Sequence, residues 1–497
     1  MTESRARQDG FPRETFFTEY GAAIDNGTAA VFAGAALSRP AGFVDWKELL
    51  RDLAHELGLD VEIEQDLSLV AQYHINASNQ SRDRLNQLLV NEFSQSARPT
   101  TAHEVLARLP IRIFWTTNYD PLIEDALDAQ GKKVDVKTAG SRLTTTRPGW
   151  HAAVYKMHGD IADPERMVIT RDDYERYARN HAPFLAALQA DLVGKTFLFL
   201  GFSFTDPNLD FVLGQLRASL GDSPRTHYII MRRVQRGDYR LKRQFEYAAN
   251  RQRLRIQDLQ RYGIKTILVD AYSEISEILT ELERRYYRRQ IVVSGAASSF
   301  EPLGQARLED LCRRLGMRII EDGYNLVTGF GLGVGNPIIM GALETLYRDP
   351  EPALERRLRL RPFPQVPPAK MAWPELHTRY REDLLRGAGF IVFVAGNRSA
   401  SDGAVEVSPG VLEEFRMARD RNMYPIPIGA TGWAAEKIWR EVRNTFDQVY
   451  PGGTPRRPFE KLADSDASNE ALIEAAFALI HHLTPRPTLT PRQRRRT

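Results

Sequence analysis

Short apolar runs of strand length alternate along the chain with longer stretches in which apolar residues recur at helical spacing. The runs enter turns rich in Gly, Ser and Asn, as buried strands do, whereas stretches such as 46–58 and 83–93 have the period of amphipathic helices. This alternation predicts an α/β fold with parallel sheets in each half of the chain. The predicted strands are 29–33, 113–116, 154–157, 196–200, 226–231 and 265–269, then 291–293, 325–327, 389–395 and 424–428.

The clearest division of the chain lies near 285–290, where a helical stretch ends in ERRYYRRQ and a new apolar strand follows. We therefore expect two Rossmann-like α/β domains, 1–287 and 288–484, and a separate tail at 485–497. Residues 349–370 are rich in Pro and Arg, and we expect an irregular insertion over a sheet edge there.

The composition of the 497 residues is that of a globular protein, with 42% hydrophobic residues and a single cysteine, Cys312. One cysteine excludes intrachain disulfides and any multi-cysteine zinc site, and it fits a reducing compartment. The N-terminus lacks the apolar stretch of a signal peptide, and no run has the length of a membrane helix. These features predict a cytoplasmic protein without a metal centre and without a membrane contact.

The net charge of +3 depends on the tail, which carries five arginines in its last dozen residues, Arg486, Arg492, Arg494, Arg495 and Arg496. Without them, 62 basic residues face 64 acidic ones, so the rest of the chain is close to neutral. We expect the tail to be solvated and disordered rather than to bind nucleic acid.

Three strand ends in the first half carry candidate chemistry. In AVFAGAALSRPAGFVDW (30–46), small residues follow a strand, so a diphosphate can approach the backbone, although such turns equally often serve packing. In IFWTTNYDP (113–121), Asp120 suits a helix N-cap and leaves Asn118 at the strand end, where open α/β sheets bind ligands. In VYKMHGD (154–160), His158 is either structural or a general base that acts near neutral pH.

The order and spacing of these stretches, with GKTFLFLGFSFTDPNL at 194–209, resemble the sirtuin NAD-binding domain over about 12–285. The resemblance implies that Asn118 and His158 are the catalytic pair beside the nicotinamide ribose. It also implies a set of residues that contact the rest of NAD+, namely Gly34, Ala35, Ser38, Asp45 and Asp120 around the dinucleotide loop, and Gly201, Ser203 and Asn208 towards adenosine.

Two departures from the sirtuin pattern argue against lysine deacetylation. The chain lacks the four cysteines of the family's zinc module, and residues 39–46 lack its Asp-Phe-Arg element. Loss of nicotinamide gives the ribose oxocarbenium character, and water can then attack it. We therefore expect hydrolysis of NAD+ to nicotinamide and ADP-ribose. The alternatives are an inactive sensor of NAD+ or ADP-ribose, and a protein ADP-ribosyltransferase.

The second half contains IVVSGAASS (291–299) and LVTGFGLGVGNPIIMGAL (326–343), whose alternating glycines suit either an anion-binding nest or a flexible turn. With 379–403 and 408–415, they resemble the SLOG family of nucleotide-binding Rossmann-like domains over about 289–484. The resemblance implies a set of residues that bind a nucleotide signal, namely Gly295, Ala296, Gly329, Gly331, Gly333, Arg361, Arg381, Arg398 and Glu413.

A sirtuin-like domain followed by a SLOG domain resembles the effector family of the Thoeris antiphage system. This resemblance implies that a TIR-domain partner protein makes a cyclic ADP-ribose isomer, which activates NAD+ hydrolysis and so depletes NAD+ during infection. It also implies a homo-oligomer, either a tetramer or a filament.

Overall fold

The computed structural model describes residues 10–44, 46–64, 66–93, 97–138, 143–202, 207–220, 225–364 and 372–484. The chain divides into two compact units, Met1–Glu283 and Arg284–Thr497. Each unit contains its own parallel sheet, as the alternation of apolar runs and helical stretches predicts. The α/β fold class is therefore confirmed.

Seven parallel strands form the sheet of the first unit, in the order β3-β4-β2-β1-β5-β6-β7. All five residues of β1 are buried, because β1 lies at the centre of a sheet covered on both faces. The strands are β1 (Ala29–Ala33), β2 (Ile113–Thr116), β3 (Val134–Lys137), β4 (Ala152–Lys156), β5 (Thr196–Leu200), β6 (His227–Arg232) and β7 (Ile264–Val269).

The helices of the first unit lie between these strands, and the last one crosses the division between the units. They are α1 (Arg13–Asp25), α2 (Ala35–Ser38), α3 (Trp46–Glu56), α4 (Leu67–Ala77), α5 (Asp83–Phe93), α6 (Thr101–Arg108), α7 (Leu122–Ala129), α8 (Arg171–Asn180), α9 (Ala182–Gly194), α10 (Pro207–Leu220), α11 (Lys242–Gln260) and α12 (Ser273–Tyr287). From β1 the chain builds the sheet outwards through β2 and β4, then returns to the other side of β1 with β5. The carboxyl ends of β1 and β5 therefore flank the crevice in which such sheets bind ligands.

Five parallel strands form the sheet of the second unit, in the order β10-β9-β8-β11-β14, and a short antiparallel hairpin β12–β13 follows β11. Its strands are β8 (Gln290–Ala296), β9 (Asn325–Thr328), β10 (Leu358–Leu360), β11 (Phe390–Ala395), β12 (Asn397–Ser399), β13 (Val405–Val407) and β14 (Tyr424–Pro427). Its helices are α13 (Gln305–Glu321), α14 (Gly335–Leu346), α15 (Leu354–Arg357), α16 (Trp373–Leu385), α17 (Pro409–Asp420), α18 (Trp433–Asn444), α19 (Phe446–Val449), α20 (Arg456–Lys461) and α21 (Asn469–Leu483). The change of direction in this sheet lies between β8 and β11.

The expectation that 349–370 is irregular is wrong for its central part. Residues 354–360 form the short helix α15 and the edge strand β10, which pairs with β9 through Leu358 and Leu326. An edge strand of three residues with an arginine at its centre has too few apolar positions to be recognised from the sequence. Residues 365–370 lie outside the described part of the chain, as does the predicted tail at 485–497.

The single cysteine, Cys312, lies in the core of the second unit, where burial raises the pKa of its thiol to about 12. The thiol is therefore protonated at neutral pH and unreactive. Among the described residues, no helix combines the length and the apolar composition needed to cross a bilayer.

His227 opens β6 and is buried in the first unit, where its Nδ1 accepts a hydrogen bond from the backbone N–H of Phe197 (3.2 Å). Burial, assisted by the charge of Arg225, lowers the pKa of His227 from 6.5 to about 3. The folded state therefore excludes a proton that the unfolded chain binds below pH 6.5. Stability contributed by the neutral ring is present above pH 6.5 and is lost as the pH falls towards 3.

We predict that the free energy of unfolding falls between pH 6.5 and 3, with His227 contributing up to about 1.4 kcal/mol per pH unit. His227→Gln keeps an acceptor for Phe197 but cannot titrate, so urea unfolding at several pH values should give a shallower slope. The variant His55→Gln changes an exposed histidine and should keep the slope of the parent protein. An unchanged slope in His227→Gln would contradict the prediction.

Candidate functional site

Asn118 is held by the loop that follows β1. Its side-chain Nδ2 donates to the carbonyl oxygen of Gly34 (3.2 Å) and to Oγ of Ser38 (2.9 Å), and its backbone N–H donates to Oγ1 of Thr116 (2.9 Å). Because a carbonyl oxygen only accepts, the contact with Gly34 fixes which end of the amide is the nitrogen. The side chain is 7% exposed, and its Oδ1 is buried without a hydrogen-bond partner among the described residues. Oδ1 is therefore a buried acceptor at the end of β2 whose hydrogen-bonding capacity the described residues leave unused.

Two glycines bring the loops after β1 and β5 into contact at the crevice. The N–H of Gly34 donates to the carbonyl of Leu200 (2.9 Å), and the N–H of Ala36 donates to that of Gly201 (3.1 Å). A Cβ at Gly34 or Gly201 would overlap the backbone of the opposite loop, and Gly201 also has a φ of +65°. These small residues therefore pack the two loops together at the carboxyl edge of the sheet.

A cavity of about 630 Å³ lies at this edge of the sheet. Ala36, Leu37 and Gly201 line one side, and Arg98 lines another together with the first turn of α6, at 100–102. Free N–H groups at a helix start and a guanidinium group both bind phosphate oxygens, so the cavity suits a diphosphate. The sequence analysis missed Arg98 and α6, although the Pro-Thr-Thr sequence before an amphipathic helix is a recognisable helix start.

His158 follows the neighbouring strand β4 at a position equivalent to that of Asn118 after β2. Thr116 and Lys156 are paired across β2 and β4, and Asn118 and His158 each come two residues later. The His158 ring is 3% exposed and lies edge-on to Tyr174, with 5.4 Å between ring centroids. Both predicted catalytic residues therefore lie at the carboxyl edge of adjacent strands, in buried surroundings.

Lys156 connects the loops that carry these two residues. Its fully buried Nζ donates to the carbonyl oxygens of Tyr119 (3.0 Å) and Asp120 (2.8 Å), and it forms ion pairs with Glu124 (3.1 Å) and Asp160 (2.7 Å). Burial disfavours the ammonium form, but the two carboxylates outweigh this effect and raise the pKa of Lys156. The amine therefore stays charged and binds the loop after β2 to the loop after β4.

The other residues predicted to contact NAD+ have different surroundings. Asp120 is buried and accepts from the N–H of Leu122 (3.1 Å) at the start of α7, but the N-cap position itself is occupied by Pro121, so Asp120 lies one residue before the cap. Ala35 is exposed at the start of α2, and Asn208 is buried in the first turn of α10. Asp45 and Ser203 lie outside the described residues.

His103 on α6 is a further buried group near Asp120. Burial lowers the pKa of His103 to about 4, although the charge of Asp120 opposes this shift. Its Nδ1 lies 2.8 Å from Oγ1 of Thr100, the residue before α6. The neutral imidazole ring therefore fixes the helix start that lines the cavity.

In the second unit, the predicted glycines pack the loop after β9 against the end of β8. A Cβ at Gly331 would overlap the carbonyl oxygen of Gly295, and one at Gly333 would lie 2.6 Å from that of Ala297. Ala296 accepts from the N–H of Gly396 (2.9 Å) at the end of β11. These positions therefore form one cluster at the carboxyl edge of the sheet.

Arg381 lies close to this cluster and is almost fully buried (7% exposed). Its guanidinium contacts Glu413 (2.8 Å) and, less closely, Glu414 (3.7 Å), and Glu414 in turn accepts from Oγ of Ser294 (2.6 Å) in β8. Burial raises the pKa of Glu414, and the hydrogen bond from Ser294 and the charge of Arg381 oppose the rise. The structure thus links Arg381 and Glu413 to the end of β8.

The remaining predicted signal residues lie at the edges of this region. Arg361 pairs with Asp383 (2.8 Å), and its carbonyl oxygen accepts from the hydroxyl of Tyr380, which also lies against Gly329. Arg398 is exposed on the β12–β13 hairpin and pairs with Glu406 (2.7 Å). These two arginines are therefore already paired with exposed carboxylates.

Asn397 is a buried residue of this edge to which the sequence analysis gave no role. Its Oδ1 accepts from the N–H groups of Ser298 (2.8 Å) and Ser299 (2.9 Å), and its Nδ2 donates to the carbonyl of Ser299 (2.8 Å). Asn397 thus fixes the loop after β8 to the end of β11. The sequence signal for this role was an asparagine directly after a buried strand and a glycine.

Comparison with known proteins assigns each of the two units to a protein family. Residues 112–256 match the SIR2-like domain family, and residues 274–483 match the Sir2- and TIR-associating SLOG family. In the described part of the chain, no three His, Cys, Asp or Glu residues are grouped as ligands for a metal ion. Fold and site thus define a two-domain protein with a SIR2-like domain followed by a SLOG domain, which confirms both resemblances.

Full-length relatives define the family more closely. The chain is 41% identical over 446 residues to "NAD(+) hydrolase ThsA" of Acinetobacter baumannii (strain 532279), covering 88% of this chain and 92% of the relative. It is 40% identical over 473 residues to "NAD(+) hydrolase ThsA" of Bacillus cereus (strain MSX-D12), covering 95% and 98%. The chain belongs to the ThsA family. A more distant relative, "Defense-associated sirtuin 2" of Bacillus subtilis, is 26% identical over 216 residues, which are 40% of this chain and 20% of that protein.

We predict that Lys156→Met lowers the free energy of unfolding by about 3–5 kcal/mol, because it leaves Glu124 and Asp160 without their buried counter-charge. Urea unfolding measures the change. As a control, Lys133→Met removes an exposed lysine just before β3 and should change stability by no more than about 0.5 kcal/mol. Equal stabilities of the two variants would show that the buried ion pairs do not hold the loops together.

Proposed function

We propose that this protein is a cytoplasmic NAD+ glycohydrolase that cleaves NAD+ to nicotinamide and ADP-ribose. The observation that carries the proposal is the buried amide of Asn118, whose nitrogen is fixed by Gly34 and Ser38 and whose Oδ1 has no hydrogen-bond partner among the described residues. The name NAD(+) hydrolase, carried by relatives about 40% identical over most of the chain, supports the same reaction.

The chemistry requires little of the protein beyond positioning and proton transfer. The bond between the ribose C1′ and the nicotinamide nitrogen breaks, and its electron pair neutralises the pyridinium ring. A water oxygen then bonds to C1′, and the water gives up a proton. Asn118 Oδ1 accepts from a ribose hydroxyl or from the attacking water, and the His158 imidazole takes the proton.

We predict that Asn118→Ala and His158→Ala each lower the rate of nicotinamide release by at least about a hundredfold, the lower range for loss of a general base. Chromatographic assay of nicotinamide released from NAD+ by purified protein, with a panel of cyclic ADP-ribose isomers present, measures the effect. The control His55→Ala changes an exposed histidine and should keep the parent rate, and thermal melts check that all variants fold. Near-normal release by both site variants would overturn the assignment.

The second unit is proposed to sense a cyclic ADP-ribose isomer made by a TIR-domain partner protein. The description of its family as Sir2- and TIR-associating supports this partner. The buried Arg381 and the glycine cluster lie at the carboxyl edge of the sheet, where nucleotides bind to open α/β folds. A signal activates the hydrolase only if it binds the active arrangement more tightly than the resting one.

The biological role proposed for this activity is antiphage defence, in which the hydrolase depletes NAD+ once the signal appears. The name of the relative "Defense-associated sirtuin 2" supports such a role. We further propose that the protein works as a homo-oligomer, a tetramer or a filament, without nucleic acid.

We predict that Arg381→Ala raises the concentration of cyclic ADP-ribose isomer needed for half-maximal activation by at least about tenfold, because one charge-assisted contact is lost. Nicotinamide release at increasing isomer concentration measures it. Arg398→Ala should act in the same direction and, being exposed, is free of folding effects. The control Arg419→Ala removes an exposed arginine of α17 and should leave activation unchanged. Normal activation of both Arg381→Ala and Arg398→Ala would reject this signal site.

A further inference from the structure

A second cavity, of about 930 Å³, adjoins the crevice cavity in the first unit. Phe202, two residues after β5, and Met231, in β6, line both cavities. The opposite wall is one face of α11, whose residues face the cavity at helical spacing from Gln244 through Tyr247 to Arg255. The two cavities therefore form a continuous path along the carboxyl ends of β5 and β6.

The second cavity carries an excess of positive charge. Four arginines line it, and within the described part of the chain none of them forms an ion pair, namely Arg240, Arg243, Arg251 and Arg255. Burial and the charge of Arg251 lower the pKa of Arg255, while the charges of Asp210 and Asp258 oppose the shift. The guanidinium groups of Arg251 and Arg255 repel each other, and an anion bound beside them would relieve the repulsion.

The acidic residue in this lining, Asp238, is already engaged. Arg232 contacts both of its oxygens, at 2.7 and 2.8 Å, and the N–H of Gln235 donates to it at 2.9 Å. Open α/β sites that select NAD+ use a free carboxylate to accept from the ribose 2′-hydroxyl, whereas an arginine there accommodates a 2′-phosphate. In this cavity the carboxylate of Asp238 is paired with Arg232, whereas the four lining arginines form no ion pair within the described part of the chain.

The direction in which a dinucleotide must lie places its adenosine at this cavity. Asn118 and His158 follow β2 and β4, on one side of β1. A dinucleotide with its nicotinamide ribose there and its diphosphate at the crevice extends its other half over β5 and β6. Phe202 and Met231 lie where the adenosine half would extend, and the arginines of α11 line the part of the cavity beyond them.

We propose that this arginine-lined cavity binds the 2′-phosphate of an adenine dinucleotide, so that NADP+ is a second and preferred substrate. The inference rests on the proposed glycohydrolase function. The bond from C1′ to the nicotinamide nitrogen breaks as in NAD+, water adds to C1′, and one proton is released. The products are nicotinamide and 2′-phospho-ADP-ribose, with the 2′-phosphate ester unchanged.

The test is equilibrium binding of NADP+ and NAD+ to the full-length chain carrying Asn118→Ala, which prevents turnover. Nicotinamide release from each dinucleotide by the parent protein is then measured with a panel of cyclic ADP-ribose isomers present. We expect NADP+ to bind at least about tenfold more tightly than NAD+. The double variant Arg251→Gln/Arg255→Gln should lower this preference at least about tenfold, since two charge-assisted contacts are lost.

The matched control is Arg253→Gln, because Arg253 is an exposed residue of α11 that does not line the cavity. It should keep the preference of the parent protein. Equal binding of the two dinucleotides, or equal preferences in the double variant and the control, would overturn the inference while NAD+ hydrolysis still stands. Failure of both dinucleotides to bind and to release nicotinamide would overturn the proposed function as well. Even if the double variant does not fold, the comparison of NADP+ with NAD+ in the protein that keeps its cavity arginines tests the inference.

Discussion

The buried amine of Lys156 fixes the loops that follow β2 and β4 relative to each other, and the proposed chemistry depends on those loops. The side chain reaches two backbone carbonyls on one loop and a carboxylate on the other, so neither loop can shift without exposing a charge to an apolar interior. Asn118 lies just before Tyr119 and Asp120, whose carbonyl oxygens accept from Lys156. His158 lies between Lys156 and Asp160. This polar cluster thus sets the distance between the two proposed catalytic side chains.

Both units use close backbone contact to form a binding edge. In the first unit, Gly34 and Gly201 bring the loops after β1 and β5 together, and in the second, Gly295 and Gly331 do the same for β8 and β9. Side chains would separate these loops and fill the space in which a nucleotide phosphate meets backbone N–H groups. The glycines are therefore needed for the packing that creates the site, in addition to any contact with a ligand.

The sequence predicted most of the fold because buried parallel strands are continuous apolar runs, and β1, β2 and β5 were predicted with their observed bounds. Short strands with polar centres, such as β10, lack that signal. In the candidate site, strand-end residues such as Asn118 were identifiable because parallel strands end at one edge. The roles of Lys156 and Asn397 were not, since a buried lysine or asparagine acquires its partners only when distant loops meet.

The pairing of Arg381 has a consequence for the kind of ligand that can bind beside it. Its guanidinium already has a carboxylate partner in Glu413, so an incoming anion exchanges one ion pair for another instead of forming a first one. The free energy of such an exchange is the difference between two similar interactions, and it is small for an anion that carries a single charge. A diphosphate, with two charges and more acceptor oxygens, gains more from the exchange. At the proposed signal site, the ion pair between Arg381 and Glu413 would therefore favour ligands with several negative charges over anions with a single charge.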